Sequence, residues 1–297
     1  MRRAMRNQTR FEGSMVALVT PFRNGKVDEA ALRRLLEIHL KARTDVVVPV
    51  GTTGESATLS HEEHRRIMSI VVEFLKGKIP VICGAGSNNT EEALGLIQHA
   101  KKIGADGVLV VTPYYNRPTQ EGLYRHYAHL ASKVDIPFVL YNVPGRTGVS
   151  LAPQTVARLA KIPNIVALKE ASGNLDQADQ ILELCDITLL SGEDSLTMPM
   201  MAIGGQGVIS VTANVVPDLV RQMVHAMLNG DLEQGRELHR KHYALSKVLF
   251  IETNPIPVKT ALGMMGLIRP ELRLPLCEMG RENQKKLREV LRKLELI

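Results

Sequence analysis

The sequence predicts an α/β chain, a (βα)8 TIM barrel followed by a C-terminal helical extension. Eight short runs rich in Val, Ile and Leu recur between Ser14 and Thr212, and helical patterns separate seven of them from the next. Near-continuous apolar strands alternating with helices argue a parallel sheet covered on both faces. Eight such units argue closure into a barrel, for which about 250 residues is typical. The chain has 297.

The first strand is expected over 14–20, stopped by Pro21, and the others over 45–50, 79–85, 107–112, 136–143, 164–170, 187–192 and 207–212. A helix over 28–42 follows from apolar Leu32, Leu35, Leu36, Ile38 and Leu40 behind Asp28, a good N-cap. Further helices are expected over 60–76, 90–103, 120–132, 153–159, 175–184 and 195–203. From Pro217 strand signals stop, and helices punctuated by Asn254-Pro255-Ile256-Pro257 and Arg273-Leu274-Pro275 follow. The expected organisation is a flexible basic tail over 1–12, the barrel over 13–216, and helices packed on it over 217–297 for packing or assembly. Met5 or Met15 is a candidate for the true start of the protein. No short repeat or low-complexity linker interrupts the pattern.

Composition narrows the function. Of the net charge of +6, Arg2, Arg3, Arg6 and Arg10 supply +4 and residues 281–293 another +4, which leaves −2 for the rest. The basic excess therefore sits at the ends rather than on a surface that could track phosphates, and with no Trp and 4% aromatics there is little to stack bases on. No apolar run approaches the ~18 residues that span a membrane, and the start lacks the apolar segment of a secretory signal. Cys83, Cys185 and Cys277 are odd in number and far apart, which fits reduced thiols in a cytoplasmic protein. The pairs His61/His64 and His239/His242 read as helix-surface residues rather than metal ligands, since neither has an HExxH pattern or an obvious third ligand.

Barrel chemistry sits at the carboxyl ends of the strands. Lys169 ends the sixth, within Asn164-Ile165-Val166-Ala167-Leu168-Lys169. A lysine whose neighbours are buried on both faces must reach water or lose its proton, and a neutral amine there can attack a carbonyl to form a Schiff base. By itself the position also fits a lysine that reaches solvent. The second strand ends in Gly51-Thr52-Thr53-Gly54-Glu55-Ser56, a tight turn that aims hydroxyls and backbone N–H groups at a small anion, or is an ordinary turn and N-cap. The fourth ends in Thr112-Pro113-Tyr114-Tyr115-Asn116, and the fifth brings Tyr141, which by itself also fits core packing, and Arg146, whose Pro-Gly turn also fits a surface residue. Adjacent strands put Tyr141 beside Lys169, where a phenol can move protons as a carbinolamine dehydrates. The loops after strands seven and eight, Gly192-Glu193-Asp194 and Thr212-Ala213-Asn214, are acidic or neutral, and Gly204-Gly205-Gln206-Gly207 lies at the other end. That argues against phosphosugars.

The segments GTTGES (51–56), VTPYYNRP (111–118), LYNVPGRTG (140–148), LKEASGN (168–174), GVISVTAN (207–214) and NPIPVK (254–259) are jointly specific. From about Gly13 to the C-terminus the chain resembles the dihydrodipicolinate synthase family. The resemblance implies a class I aldolase-type lyase, needing no metal or other cofactor, that joins pyruvate to L-aspartate 4-semialdehyde. That reaction is the first committed step of diaminopimelate and lysine biosynthesis. Lys169 would form the imine. Thr53 and Tyr141 would relay protons with Tyr115 from a neighbouring subunit. Thr52 and Thr53 would hold the pyruvate carboxylate, Arg146 that of the semialdehyde, and Gly192 and Ile209 would shape the pyruvate pocket. Ser56, Ala57, His61, His64, Asn88, Glu92 and Tyr114 match positions lining the L-lysine site of feedback-inhibited members, and a homotetramer built as a dimer of dimers is expected. A related lyase acting on a 2-keto-3-deoxy sugar acid is the alternative. Arg146 argues against its N-acetylneuraminate branch, whose substrate is a polyol and which lacks an Arg at this turn.

Overall fold

The computed structural model describes residues 11–297. Its eight barrel strands are β1 (Gly13–Ala17), β2 (Val46–Val48), β3 (Ile82–Gly84), β4 (Gly107–Val111), β5 (Phe138–Asn142), β6 (Ile165–Glu170), β7 (Thr188–Ser191) and β8 (Gly207–Ser210). All pair in parallel in the order β2-β1-β8-β7-β6-β5-β4-β3. A bridge from Val47 to Val81, with Val47 N donating to Pro80 O at 3.0 Å, closes β2 onto β3. The sheet has no open edge, as the alternation of eight apolar strands with helices required.

Every expected strand is present and shorter than expected. The residues lost lie mainly at the strand ends, where the chain leaves the ladder for the loops. At the mouth, Val50 (φ 49°) and Glu55 (φ 55°) turn left-handed there. Helices Thr90–Ile103, Pro153–Leu159 and Leu175–Leu184 keep their expected bounds. Asp28 caps Glu29–Lys41 by accepting from Ala31 N at 3.0 Å, and Ser60 with Glu63 forms a capping box ahead of His61–Leu75. The helix expected over 195–203 is instead a 3-10 turn, Asp194–Leu196, followed by Thr197–Ala202, because Asp194 is drawn inward to accept from Val211 N and Thr212 N.

Side-chain alternation divides the core in two. Met15, Val46, Val48, Ile82, Leu109, Val139, Tyr141, Ala167, Leu190 and Ile209 point into the barrel, and Val16, Val47, Val108, Leu140, Leu168 and Val208 pack outward against the helices. Phe11 is buried with the inner set; a Cβ on Gly107 would come within 2.9 Å of its ring. The rest of the expected tail, residues 1–10, lies outside the described residues. The histidines do not all lie on helix surfaces as expected. His64 and His242 are buried because each falls on the core-facing stripe of its helix, with Ile67 and Met68 or with Leu238 and Leu245, and they pair Nε2 with Gly84 O (2.8 Å) and Nδ1 with Leu238 O (2.7 Å).

After β8 come helices Pro217–Leu228, Leu232–Val248, Ile256–Met264 and Arg281–Lys293. The first packs on β1, the place of the helix that follows β8 in a barrel, and the next on it in turn. The chain from 253 to 276 then returns to the turn after β2. Lys259 meets Glu55, and Arg273 makes paired bonds to Glu63 while its guanidinium lies 4.3 Å from the centre of the Phe22 ring. The Arg273 guanidinium holds the Glu63 carboxyl at about 2, below the ordinary 4.5. Because the folded chain refuses a proton that the unfolded chain accepts, this pair stabilises fully above about 4.5 and is lost as pH falls toward 2. Urea unfolding of Glu63→Gln should therefore show a shallower loss of stability across that window, by about 1 kcal/mol after solvent screening. Identical acid profiles for both proteins would refute the assignment.

Among the described residues no helix is long and apolar enough to cross a membrane, and no group of three or more His, Cys, Asp or Glu is placed to hold a metal ion. The three cysteines are free, with Cys83 buried and Cys277 exposed.

Candidate active site

Lys169 occupies the inward row of β6, between Ala167 and Ala171, and is 5% exposed. Its register partner on β5 is Tyr141, and its Nζ lies 4.4 Å from the centre of that ring. The outward neighbour Glu170 faces the other way. It accepts from Asn142 Nδ2 (2.9 Å), Ser172 N (2.6 Å) and Gln177 Nε2 (3.2 Å), which pins the ends of β5 and β6.

Gly192, after β7, lies close against the lysine. A Cβ there would stand 2.5 Å from Ala171 Cβ and 3.0 Å from Lys169 Cε. Gly192→Ala is expected to push the amine aside and lower kcat about 100-fold with the fold retained, since a displacement of about 1 Å at a reacting group costs that much. Steady-state kinetics beside a circular-dichroism melt would check it, and an unchanged kcat would show that the space is not used. Ile209, on β8, lies in the same inward cluster.

The turn after β2 is built on Gly54, whose Cβ would sit 2.9 Å from Val50 N and Cα. Its N–H groups are not all aimed outward as expected, because Glu55 N donates to Thr52 O (3.0 Å) and Ser56 N to Gly51 O (3.3 Å). Closing so tight a turn uses them internally. Thr53 is buried, and Thr52 lines a cavity of about 500 Å3. Arg146 is not in a loose turn but on one helical turn, Pro144–Thr147, begun by Pro144 and ended by left-handed Gly148 (φ 71°). It lines the same cavity and donates from Nη2 to Asn254 O at 3.0 Å.

Ser56, Ala57, His61, His64, Glu92 and Tyr114 line that cavity too, so these candidate regulatory positions share one space with Thr52 and Arg146. His61 Nε2 lies 3.1 Å from Glu92 Oε1, Glu92 is also bonded to Ser87, and burial holds His64 below the ordinary imidazole range. Asn88 stands beside the cavity, its carbonyl accepting from Asn116 Nδ2 at 2.9 Å. Tyr115 is not brought to Lys169 within this chain. It is 91% exposed on a left-handed backbone (φ 71°).

Two neighbours of the site carried no role in the sequence reading. Asn254, buried, donates from Nδ2 to Thr53 Oγ1 at 3.0 Å while its carbonyl takes Arg146. It ends no barrel strand, so no positional rule marks it. Glu193, next to Gly192, has its carboxyl pushed up by burial and then by Asp194, against the pull of Lys169, Lys247 and Arg146. The strand-end rule would have marked Glu193, and its place after β7 was the available signal.

Known proteins resemble the chain over almost its whole length. A protein of Thermodesulfovibrio yellowstonii named 4-hydroxy-tetrahydrodipicolinate synthase is 55% identical over 289 residues, 97% of this chain and 99% of the other. The crystal structure of dihydrodipicolinate synthase from Aquifex aeolicus superposes with a TM-score of 0.95 at 52% identity, over 96% of this chain and 99% of that one. The chloride-inhibited enzyme of Acinetobacter baumannii complexed with pyruvate gives 0.95 at 44% identity, over 96% and 99%. The enzyme of Cyanidioschyzon merolae with lysine bound gives 0.93 at 39%, over 97% and 100%. The sequence profile of the dihydrodipicolinate synthetase family matches residues 10–294. With a barrel of this topology and a buried lysine closing its sixth strand, the chain belongs to that family.

Proposed function

We propose that this protein condenses pyruvate with L-aspartate 4-semialdehyde to 4-hydroxy-tetrahydrodipicolinate, the first committed step of diaminopimelate and lysine biosynthesis, through a Schiff base on Lys169. The observation that carries the mechanism is an inward, buried lysine amine set against a phenol ring at the end of β6. Neutral Nζ attacks C2 of pyruvate, and the carbinolamine loses water to give the iminium. Loss of a proton from C3 gives the enamine, whose C3 attacks the aldehyde carbon while that oxygen takes a proton. The substrate's own amine then attacks C2 and displaces Lys169, closing the ring. One water leaves overall, at imine formation.

Thr53, Tyr141 and a partner's copy of Tyr115 are the proposed proton relay. A phenol that is almost wholly exposed on a left-handed backbone suits a residue completed by a neighbouring subunit, which supports a homo-oligomer; the arrangement proposed is the tetramer of paired dimers. Thr52 and Thr53 are assigned to the pyruvate carboxylate, Gly192 and Ile209 to the pyruvate pocket, and Arg146 to the carboxylate of the semialdehyde. A guanidinium at the mouth favours that acidic substrate over a 2-keto-3-deoxy sugar acid.

Borohydride reduction with pyruvate, followed by peptide mass mapping, tests the assignment. A reduced pyruvyl adduct on the peptide carrying residue 169 is expected, and an unmodified peptide would overturn it. L-Lysine is proposed as a feedback inhibitor bound among Ser56, Ala57, His61, His64, Asn88, Glu92 and Tyr114, where Glu92 offers a carboxylate to an ammonium. Unchanged rates in millimolar L-lysine would dispose of that site. A cytoplasmic location, with free thiols, goes with the same reading.

A further inference from the structure

We propose that Asn254 is a positioning residue for the reaction, one that fixes which way the Thr53 hydroxyl points its proton. The proposal rests on the relay role given to Thr53 above and goes beyond it. Asn254 is 5% exposed, its Nδ2 donates to Thr53 Oγ1 at 3.0 Å, and its Oδ1 is buried with no partner. A hydroxyl has one proton to donate and two lone pairs to accept with. Once the amide N–H fills a lone pair, the threonine proton is turned away from Asn254. The Asn254 side chain thereby makes Thr53 a donor toward the barrel interior, where Tyr141 and the bound keto acid lie.

The Asn254 backbone is itself held at two points. Arg146 Nη2 bonds its backbone carbonyl at 3.0 Å, and the helix that begins at Ile256 is tied down by Lys259 on Glu55, two residues beyond Thr53. One strap from the C-terminal region thus contacts that turn at both Thr53 and Glu55. Leaving Oδ1 without a partner in a buried site costs free energy. That fits an orientation dictated by Thr53 rather than by the amide's own hydrogen bonding.

The test compares three proteins with the wild type, whose turnover of pyruvate and L-aspartate 4-semialdehyde establishes the underlying reaction. Asn254→Asp replaces the donor with an acceptor and draws the threonine proton back, so kcat is expected to fall about 100-fold, the scale of one proton-transfer contribution. Asn254→Ala, which only frees the hydroxyl to rotate, should lose about 10-fold, with KM for pyruvate changed less than kcat. Adding Asn254→Ala to Thr53→Val should cost nothing beyond Thr53→Val alone, because the asparagine acts only through that hydroxyl.

An aspartate variant no worse than the alanine variant would mean that Oδ1, not Nδ2, faces Thr53, and would overturn the proposal. Multiplying losses in the double variant would overturn it as well, by showing an independent role. Melting curves on each protein separate these results from unfolding, and Asn254→Ser with Thr53→Val carries the same cycle should the alanine variant fail to fold. If the wild type turned over no such substrates, the reaction assignment would fall instead, a distinguishable result.

Discussion

Lys169→Ala should lower kcat/KM by about 10,000-fold or more while leaving the protein as stable as before, or more so. A loss of that size is about 5.5 kcal/mol of transition-state stabilisation. It is the cost of removing the atom that carries the covalent intermediate, which no neighbour can replace. The stability half of the prediction follows from burial. An amine at 5% exposure, set against the Tyr141 ring and within reach of the Glu193 charge but in no ion pair among the described residues, has given up more hydration than it regains. Its removal relieves that cost. Activity and melting temperature therefore move apart, which a merely structural lysine would not do. Turnover within about tenfold of the wild type would remove the Schiff base from the mechanism.

Lys259→Met should cost about 3–5 kcal/mol of stability, because it leaves the buried Glu55 carboxylate without its ion-pair partner, with only the Arg273 N–H at 3.3 Å still donating to it. The pair is almost closed to solvent, with side chains 0% and 1% exposed, and lies over Phe22, whose ring centre is 4.1 Å from Nζ. Burial pulls Lys259 below its ordinary range while Glu55 pulls it back, so the charged pair persists only while both partners are present. Removing both charges at once, in Lys259→Met with Glu55→Gln, should recover most of the loss in urea unfolding, since a neutral pair leaves no charge stranded. A single variant within about 1 kcal/mol of the wild type would mean that the pair contributes little. Because Glu55 ends the turn that carries Thr52 and Thr53, the single variant should also lose activity below its melting temperature.

Much of the fold is legible in the sequence because a barrel repeats one local rule. Each strand announces itself as an apolar run and each helix as a capped amphipathic one, so the eight units can be counted without knowing how they close. Three helices even keep their expected bounds. The errors fall where local preference meets a tertiary demand. The helix expected from 195 begins as a 3-10 turn because Asp194 is recruited to the amides that follow β8. His64 and His242 look like surface residues by composition and are buried by helix phase.

The candidate site divides along the same line. Residues at strand ends, Lys169, Tyr141 and the 51–56 turn, are found by position, since topology sends every such end to one rim. Tyr115 is legible as a motif residue, yet nothing within a single chain puts it to use. Asn254 heads the NPIPVK segment, but its role was out of reach, because it arrives from a C-terminal segment some 200 positions away, and only the returned chain lays its amide on Thr53.

The order of apolar and polar residues alone determined the barrel, the carboxyl-end rim and the lysine on the sixth strand, since these follow from periodicity and chain topology. Only the tertiary structure decided that the Asn254 amide meets the Thr53 hydroxyl, that Lys259 seals Glu55, and that Thr52 and Arg146 share a cavity with His61 and Glu92. Those contacts join segments whose separation along the chain carries no local signal, and they form only when the closed barrel brings its ends together.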